Sequence, residues 1–215
     1  QTYDVTDALL NGENAIGAML ADGWYRGHLG WDGKRNLYGD QTALRAQLQI
    51  TYTDGREEII GTNTEWTFSK NGPWRMADLY NGETYDARME ISDWSTAQYD
   101  DSAWEPVANF EGDAVSLVAP QGPPVRPIEE LKPVSISTAP NGETLVDLGQ
   151  NMVGWVKLTV KGTAGTELIL RHSEVLDPEG NAYTENLRAA KQTDKYILSG
   201  NGTETYEPKF TFHGF

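Results

Sequence analysis

Strict alternation of apolar and polar residues marks one β-strand clearly in the N-terminal half of the chain. From Leu44 to Tyr52 every second residue is apolar or aromatic, which is the period that places strand side chains on one face. Asp54-Gly55 follows this stretch, and a second β-prone stretch runs from Glu57 to Ile60. An Asp-Gly pair between two such stretches predicts a β-hairpin.

Short apolar stretches separated by turn signals continue on both sides of a proline-rich segment, residues 119–133. Ala15 to Leu20 predicts one small strand of the first series. The proline-rich segment holds five prolines, a density that excludes it from a central strand and predicts an extended linker. We therefore predict an all-β fold of two consecutive antiparallel β-sandwich, jelly-roll-like domains, over residues 1–118 and 134–215.

Composition and net charge exclude several kinds of partner and site. The 215 residues carry a formal net charge of −15, so neither nucleic acid nor an anionic membrane is expected as a partner. No apolar run approaches the length of a membrane span. Cysteine is absent, which excludes disulfides, thiolate metal sites and a cysteine nucleophile. The chain starts without methionine and stops inside a strand-like stretch, so we expect both sandwiches to be cut from something longer.

Residues 78–88, called the turn motif below, concentrate the groups best suited to binding a ligand. Asn81-Gly82 predicts a tight turn, because both residues tolerate positive φ. In the strand that follows, Glu83 and Tyr85 would share one face, and Asp86 would share the other with Arg88 and form a bidentate ion pair with it. Two interpretations stay open: the pair pins a loop to a sheet, or the turn borders a ligand or Ca²⁺ site.

No residue is predicted to be catalytic. The histidines lie outside any nucleophile motif, and His172 and His213 are predicted to be structural hydrogen-bonding groups. Glycoside hydrolysis needs two carboxyl groups facing one bond, and no acid pair in the sequence has a spacing that forces this. Glu83 and Asp86 would lie on opposite faces of a regular strand, which argues against an acid/base couple.

Aromatic residues point instead to a saccharide. Six of the seven tryptophans precede the proline-rich segment, more than one small core needs. Flat rings beside acids and amides suit a neutral sugar, which presents C–H patches and hydroxyls. The predicted ligand-binding residues are Asn81, Glu83, Asp86, Arg88, Trp24, Trp66 and Tyr85.

Several motifs, in order, resemble bacterial α-L-rhamnosidases over nearly the whole chain. The N-terminal sandwich of that family is similar to Asp22-Gly23-Trp24-Tyr25-Arg26-Gly27 and to Tyr80-Asn81-Gly82-Glu83-Thr84-Tyr85-Asp86-Ala87-Arg88. Its adjoining sandwich is similar to the stretches that begin at Asp147, Arg171 and Thr193 and to Phe210-Thr211-Phe212-His213-Gly214-Phe215.

The resemblance implies a portion of an inverting glycoside hydrolase that releases terminal α-L-rhamnose. It also implies that the catalytic glutamates lie in a C-terminal α/α barrel outside this chain, so the expected partners are that barrel and a rhamnose-containing glycan. Some relatives bind rhamnose through Ca²⁺ near the turn motif, which implies a calcium site at Asn81, Glu83 and Asp86. The alternative is that the sandwiches only brace the barrel and bind no ligand.

Overall fold

The computed structural model describes residues 1–110 and 118–215 and is built almost entirely of strands and turns. One α-helix, α1, spans Gly23–Arg26, and 3-10 turns span Thr6–Ala8, Ala87–Met89 and Glu185–Leu187. The strands are β1 His28–Leu29, β2 Lys34–Arg35, β3 Gln47–Thr51, β4 Glu57–Gly61, β5 Thr67–Phe68, β6 Trp74–Asp78, β7 Gly82–Asp86, β8 Glu105–Pro106, β9 Ser135–Thr138, β10 Thr144–Asp147, β11 Val153–Gly154, β12 Leu158–Lys161, β13 Glu167–Arg171, β14 Thr193–Ile197, β15 Thr203–Tyr206 and β16 His213–Gly214. The all-β prediction is confirmed.

The described residues form two compact units. Unit 1 comprises Gln1–Leu20, Ala43–Asn71 and Ile91–Pro124, and unit 2 comprises Ala21–Thr42, Gly72–Glu90 and Val125–Phe215. Within the described part of the chain, no helix has the length and apolar content needed to cross a bilayer. The division at residues 119–133 into two sandwich domains stays a prediction.

Unit 1 contains the hairpin that the alternating pattern predicted. β3 and β4 pair antiparallel, with Gln47 opposite Gly61 and Thr51 opposite Glu57. Gly55 in the connecting turn has φ +86°, a backbone conformation that glycine adopts without a Cβ clash. The stretch Ala15 to Leu20 forms no strand, so that prediction is wrong. Its apolar residues have no paired neighbour to complete a ladder.

Unit 2 is organised around a four-stranded sheet in the order β13-β14-β7-β6. β13 pairs antiparallel with β14, and β6 pairs antiparallel with β7. The two inner strands, β14 and β7, are parallel, with Lys195 opposite Thr84 and Ile197 opposite Asp86. The predicted antiparallel pairing therefore holds for the two outer pairs of this sheet and not for β14 with β7. Hairpin turns impose antiparallel pairing, whereas β7 and β14 are far apart in the chain and no hairpin joins them.

Tyrosines fill the core of unit 2. Ala87, Tyr196, Leu198 and Tyr206 form a buried cluster, and Tyr85 packs against it. The rings of Tyr196 and Tyr206 stack with centroids 4.8 Å apart. Their hydroxyls end on carboxylates, because buried tyrosines need polar partners for the O–H group: Tyr196 donates to Glu204 at 2.7 Å and Tyr206 to Glu83 at 3.1 Å.

Candidate functional site

The turn motif joins β6 to β7, as its Asn-Gly signal predicted. Gly82 has φ +95°, and a Cβ placed there would lie 2.1 Å from the carbonyl oxygen of Thr193. The turn is anchored to the same neighbouring segment by two backbone hydrogen bonds, from Gln192 N to Tyr80 O at 3.0 Å and from Thr193 N to Asn81 O at 3.1 Å. Only glycine satisfies both the positive φ and this close backbone approach.

Asp78 holds the turn together, a role that the sequence interpretation missed. One of its oxygens accepts from the backbone N–H groups of Tyr80 and Asn81, both at 2.9 Å. The other accepts from the backbone N–H of His28 at 2.8 Å and lies 2.8 Å from His28 Nδ1. An aspartate three residues before an Asn-Gly pair is the signal that was available, since aspartate side chains accept from backbone groups just downstream.

The pKa of the Asp78 carboxyl follows from these bonds. Burial raises it, but the hydrogen bonds from His28, Asn81 and Tyr80 outweigh burial and lower the pKa below 3.8. The charged form is therefore favoured in the folded state. Its contribution to stability is present above the unfolded-state pKa and is lost as the pH falls through the lower folded-state value.

We expect Asp78→Asn to reduce the loss of unfolding free energy that occurs as the pH falls into the acid range. The amide does not titrate, so the variant loses less free energy of unfolding than the wild type between about pH 5 and pH 2.5. At neutral pH the variant is less stable by about 1–2 kcal/mol, because the new NH₂ group faces an N–H donor. Urea denaturation at stepped pH measures both effects. Parallel pH profiles for the two proteins would contradict the assignment.

Glu83 is fully buried, and both of its oxygens are used within unit 2. Oε1 accepts from the Tyr206 hydroxyl at 3.1 Å, and Oε2 accepts from the backbone N–H groups of Lys209 and Phe210 at 3.1 and 3.2 Å. Burial raises the pKa of the Glu83 carboxyl, with the hydrogen bonds opposing that rise. The geometry gives Glu83 the role of a buried acceptor that ties β7 to the C-terminal segment.

Asp86 and Arg88 form the predicted bidentate ion pair. Arg88 donates from Nε to one carboxylate oxygen at 2.8 Å and from a terminal nitrogen to the other at 2.7 Å. The strand ends at Asp86, however, and Arg88 lies in the 3-10 turn that follows, where its backbone N–H also donates to Asp86 at 3.1 Å. Hydrogen bonding from Arg88 lowers the pKa of Asp86.

The other predicted ligand-binding residues contact different neighbours and do not form one site. The Asn81 side-chain oxygen accepts from the backbone N–H of Lys191 at 3.3 Å. Tyr85 donates to Glu90 at 2.6 Å, and its ring packs against the core cluster. Trp24 is 53% exposed and meets the ring of Tyr80 edge-on at 6.1 Å. Trp66 is half-buried in unit 1, whereas all the others belong to unit 2.

These contacts determine whether the acids of the turn motif are free to bind a metal ion. The carboxylate oxygens of Glu83 and Asp86 each accept at least one hydrogen bond from the protein itself. A calcium ion at Asn81, Glu83 and Asp86 would have to replace these bonds with coordination bonds. The calcium site stays a prediction, and the observed bonds give both acids a structural role.

A second group of residues in unit 2 forms an open cavity of about 240 Å³, which we call the aromatic cleft. Its lining includes Trp31, Tyr80 and Arg188. The guanidinium of Arg188 lies over the Trp31 ring at 3.6 Å, and the Trp31 side chain is 76% exposed. Arg188 has φ +58°, an uncommon conformation for a non-glycine residue and one that is enriched at binding sites.

Comparison with known proteins explains the ordered motifs. Residues 1–129 match the α-L-rhamnosidase N-terminal domain, and residues 137–215 match the bacterial α-L-rhamnosidase concanavalin-like domain. The chain belongs to the α-L-rhamnosidase family. The resemblance that the turn motif and the C-terminal motifs indicated is confirmed, and the second match identifies a β-sandwich domain.

Members of the α-L-rhamnosidase family align with this chain along most or all of its length. An α-L-rhamnosidase of Streptomyces avermitilis is 48% identical over 100% of the chain, which corresponds to 21% of that protein. The crystal structure of a Streptomyces avermitilis α-L-rhamnosidase complexed with L-rhamnose superposes on 90% of the chain and 19% of its own chain with a TM-score of 0.85. The native Aspergillus terreus enzyme structure, 39% identical, covers 90% of this chain and 22% of its own with a TM-score of 0.86. The chain thus spans about a fifth of the length of these α-L-rhamnosidases.

Proposed function

We propose that this chain is a non-catalytic β-sandwich region of an α-L-rhamnosidase, which braces a catalytic domain while that domain releases terminal rhamnose. The chain aligns with about a fifth of its relatives, and the family resemblance assigns the reacting glutamates to an α/α barrel. The expected partners are that barrel, within the same polypeptide, and the rhamnose-containing glycan or glycoside that the barrel hydrolyses.

The burial of the turn-motif acids carries this proposal. A hydrolytic acid/base pair must reach both sides of one glycosidic bond. Glu83 has no exposed surface, and the Arg88 guanidinium covers both Asp86 oxygens. Both acids are therefore placed to hold the sheet rather than to meet a substrate.

We expect no hydrolysis of an aryl α-L-rhamnoside by the purified chain. The measurement is release of the chromogenic phenol at high protein concentration, with a complete α-L-rhamnosidase as the positive control. Turnover by the chain that Glu83→Gln abolishes would contradict the proposal and would give the turn motif a catalytic role. Turnover unaffected by that substitution would show that a carboxylate elsewhere is the reactive group.

The aromatic cleft supports a second candidate function, the binding of rhamnose. The exposed Trp31 ring offers a flat surface to the C–H face of a sugar, and the Arg188 side chain supplies N–H donors for its hydroxyls. The Arg188 guanidinium lies over the Trp31 ring, and no hydrogen bond joins its side chain to another described residue. The neighbouring Trp24 and Tyr80 rings extend the aromatic surface.

Titration with L-rhamnose tests this candidate. We expect chemical-shift changes at the cleft with a millimolar dissociation constant and at least tenfold weaker binding for Trp31→Ala. Trp104→Phe, at a half-buried tryptophan of unit 1 outside the predicted ligand-binding set, is the control and leaves the affinity unchanged. Repeating the titration with Ca²⁺ present tests the calcium prediction, since a site at Asn81, Glu83 and Asp86 would make binding depend on the ion. Loss of binding with Trp66→Phe but not Trp31→Ala would place the sugar outside the cleft.

A further inference from the structure

Three buried residues of unit 2, His172, Asp194 and His213, form what we call the histidine–aspartate cluster. Each offers a ligand atom, and these atoms all lie within 4.8 Å of one another. His172 directly follows β13, Asp194 lies in β14 and His213 in β16. Their exposed fractions are 4%, 0% and 2%, so bulk water does not compensate any polar atom that lacks a partner.

The hydrogen bonds around His172 fix which ring nitrogen carries the proton. Nδ1 lies 3.0 Å from the backbone oxygen of Gln192, and a carbonyl oxygen only accepts, so Nδ1 carries the hydrogen. Nε2 of the neutral ring is then a bare lone pair. It has no hydrogen-bond partner among the described residues and lies 4.0 Å from an Asp194 oxygen. A histidine whose other nitrogen donates to a backbone carbonyl is in the state that metal ligands adopt.

Asp194 is anchored so that a carboxylate oxygen faces both imidazoles. Its Oδ1 accepts from the backbone N–H of Glu83 at 3.0 Å. His213 Nε2 lies 3.1 Å from both Asp194 oxygens and donates to them. Oδ2, which has no backbone donor, also lies 4.0 Å from His172 Nε2. The two imidazole rings face each other with centroids 4.3 Å apart, and Phe215 packs on His172 at 4.8 Å.

We propose that the histidine–aspartate cluster binds a divalent transition-metal ion, with Zn²⁺ as the expected occupant, through His172, Asp194 and His213. Zn–N and Zn–O bonds of about 2.0–2.2 Å in a tetrahedral site place two ligand atoms roughly 3.3–3.6 Å apart. The observed separation of 3.1 Å is close to that value, and the separation of 4.0 Å would shorten as the ion binds. Two imidazoles and one carboxylate suit Zn²⁺, whereas Ca²⁺ takes oxygen ligands. This ion is therefore distinct from the calcium predicted at the turn motif.

A metal here would stabilise the fold rather than act on a substrate. The cluster is closed to solvent, so the ion enters as the chain folds, and binding energy becomes folding energy. It would link β13, β14 and β16, and through the Glu83 N–H bond to Asp194 it would reach β7. His213 Nε2 donates to the Asp194 carboxylate in the metal-free protein, so the ion would replace that hydrogen. The neutral ring would then carry its hydrogen on Nδ1, which has no partner among the described residues.

Metal analysis of the whole chain tests this inference. We expect about one Zn²⁺ per chain after refolding with Zn²⁺ and removal of free ion, and His172→Gln should reduce this at least tenfold. His28→Gln replaces the histidine outside the cluster and should keep the full content. Zn²⁺ should also raise the Tm of the metal-free wild type by about 5 °C or more, a readout that needs no variant to fold.

Cobalt replaces zinc as a spectroscopic probe of the same ligands. We expect Co²⁺ added during refolding to give visible d–d absorption that an excess of Zn²⁺ removes. Wild-type protein that retains no metal and shows no Tm response would overturn the inference and leave the cluster as a metal-free hydrogen-bond network. Equal metal content in folded His172→Gln and wild type would also overturn it, because the ion would then lie elsewhere.

Discussion

Gly82→Ala is expected to lower the free energy of unfolding by at least about 3 kcal/mol. The new methyl group would lie 2.1 Å from the Thr193 carbonyl oxygen and 2.6 Å from an Asp194 oxygen. Neither atom can turn away freely, since one is backbone and the other belongs to a fully buried, hydrogen-bonded carboxylate. Relief requires β7 and β14 to separate. The change is measured by urea denaturation followed by circular dichroism.

Gly202→Ala is the matched control for this effect. Gly202 has φ +99°, close to the +95° of Gly82, but a Cβ there meets nothing within 4 Å. Its substitution therefore isolates the cost of positive φ, about 1–2 kcal/mol. Equal losses for the two variants would show that the backbone conformation, and not the approach of β14, makes glycine necessary in the turn motif.

Glu83→Ala should cost about 3–5 kcal/mol of unfolding free energy. The substitution leaves the Tyr206 hydroxyl and the N–H groups of Lys209 and Phe210 buried without their acceptor, and buried unpaired donors are costly. Glu83→Gln keeps an oxygen for the two N–H groups and should lose roughly half as much. Urea denaturation again provides the measurement.

Glu129→Ala is the control for the loss of an acidic side chain in unit 2. Glu129 is exposed, and its removal should change stability by no more than about 0.5 kcal/mol. A Glu83→Ala variant as stable as Glu129→Ala would contradict the buried-acceptor role. It would return Glu83 to the set of residues free to bind a ligand.

Local features of the fold were predictable from the sequence because their causes are local. The Asp54-Gly55 hairpin and the Asn81-Gly82 turn depend on the φ preferences of two adjacent residues. The Asp86–Arg88 ion pair depends on a spacing of two, and it forms even though Arg88 leaves the strand. The stretch Ala15 to Leu20 shows the limit of this reasoning, because apolar character does not supply a pairing partner.

The site was less predictable because its partners are remote in the chain. From the sequence, Glu83 is an acid beside a turn and suits ligand binding. The groups that donate hydrogen bonds to its carboxylate, however, belong to residues 123 to 127 positions later in the chain. The spacing of His172, Asp194 and His213 matches no metal-binding motif, since the end of β13 and the strands β14 and β16 bring them together. Trp31 differs from the other tryptophans because the Arg188 guanidinium lies over its ring. This contact depends on the positive φ of Arg188, which the tertiary structure imposes and the local sequence does not predict.

The parallel pairing of β7 with β14 also affects how the protein is made. The Glu83 N–H group donates to Asp194, which lies 111 positions later in the chain. A ribosome adds about 5–20 residues per second, so β14 is synthesised roughly 6–20 s after β7. During that interval the edge of β7 that later pairs with β14 is open, and the Glu83 side chain, which is buried in the folded protein, is exposed to water. Solvation of that carboxylate discourages the nascent edge from joining another polypeptide.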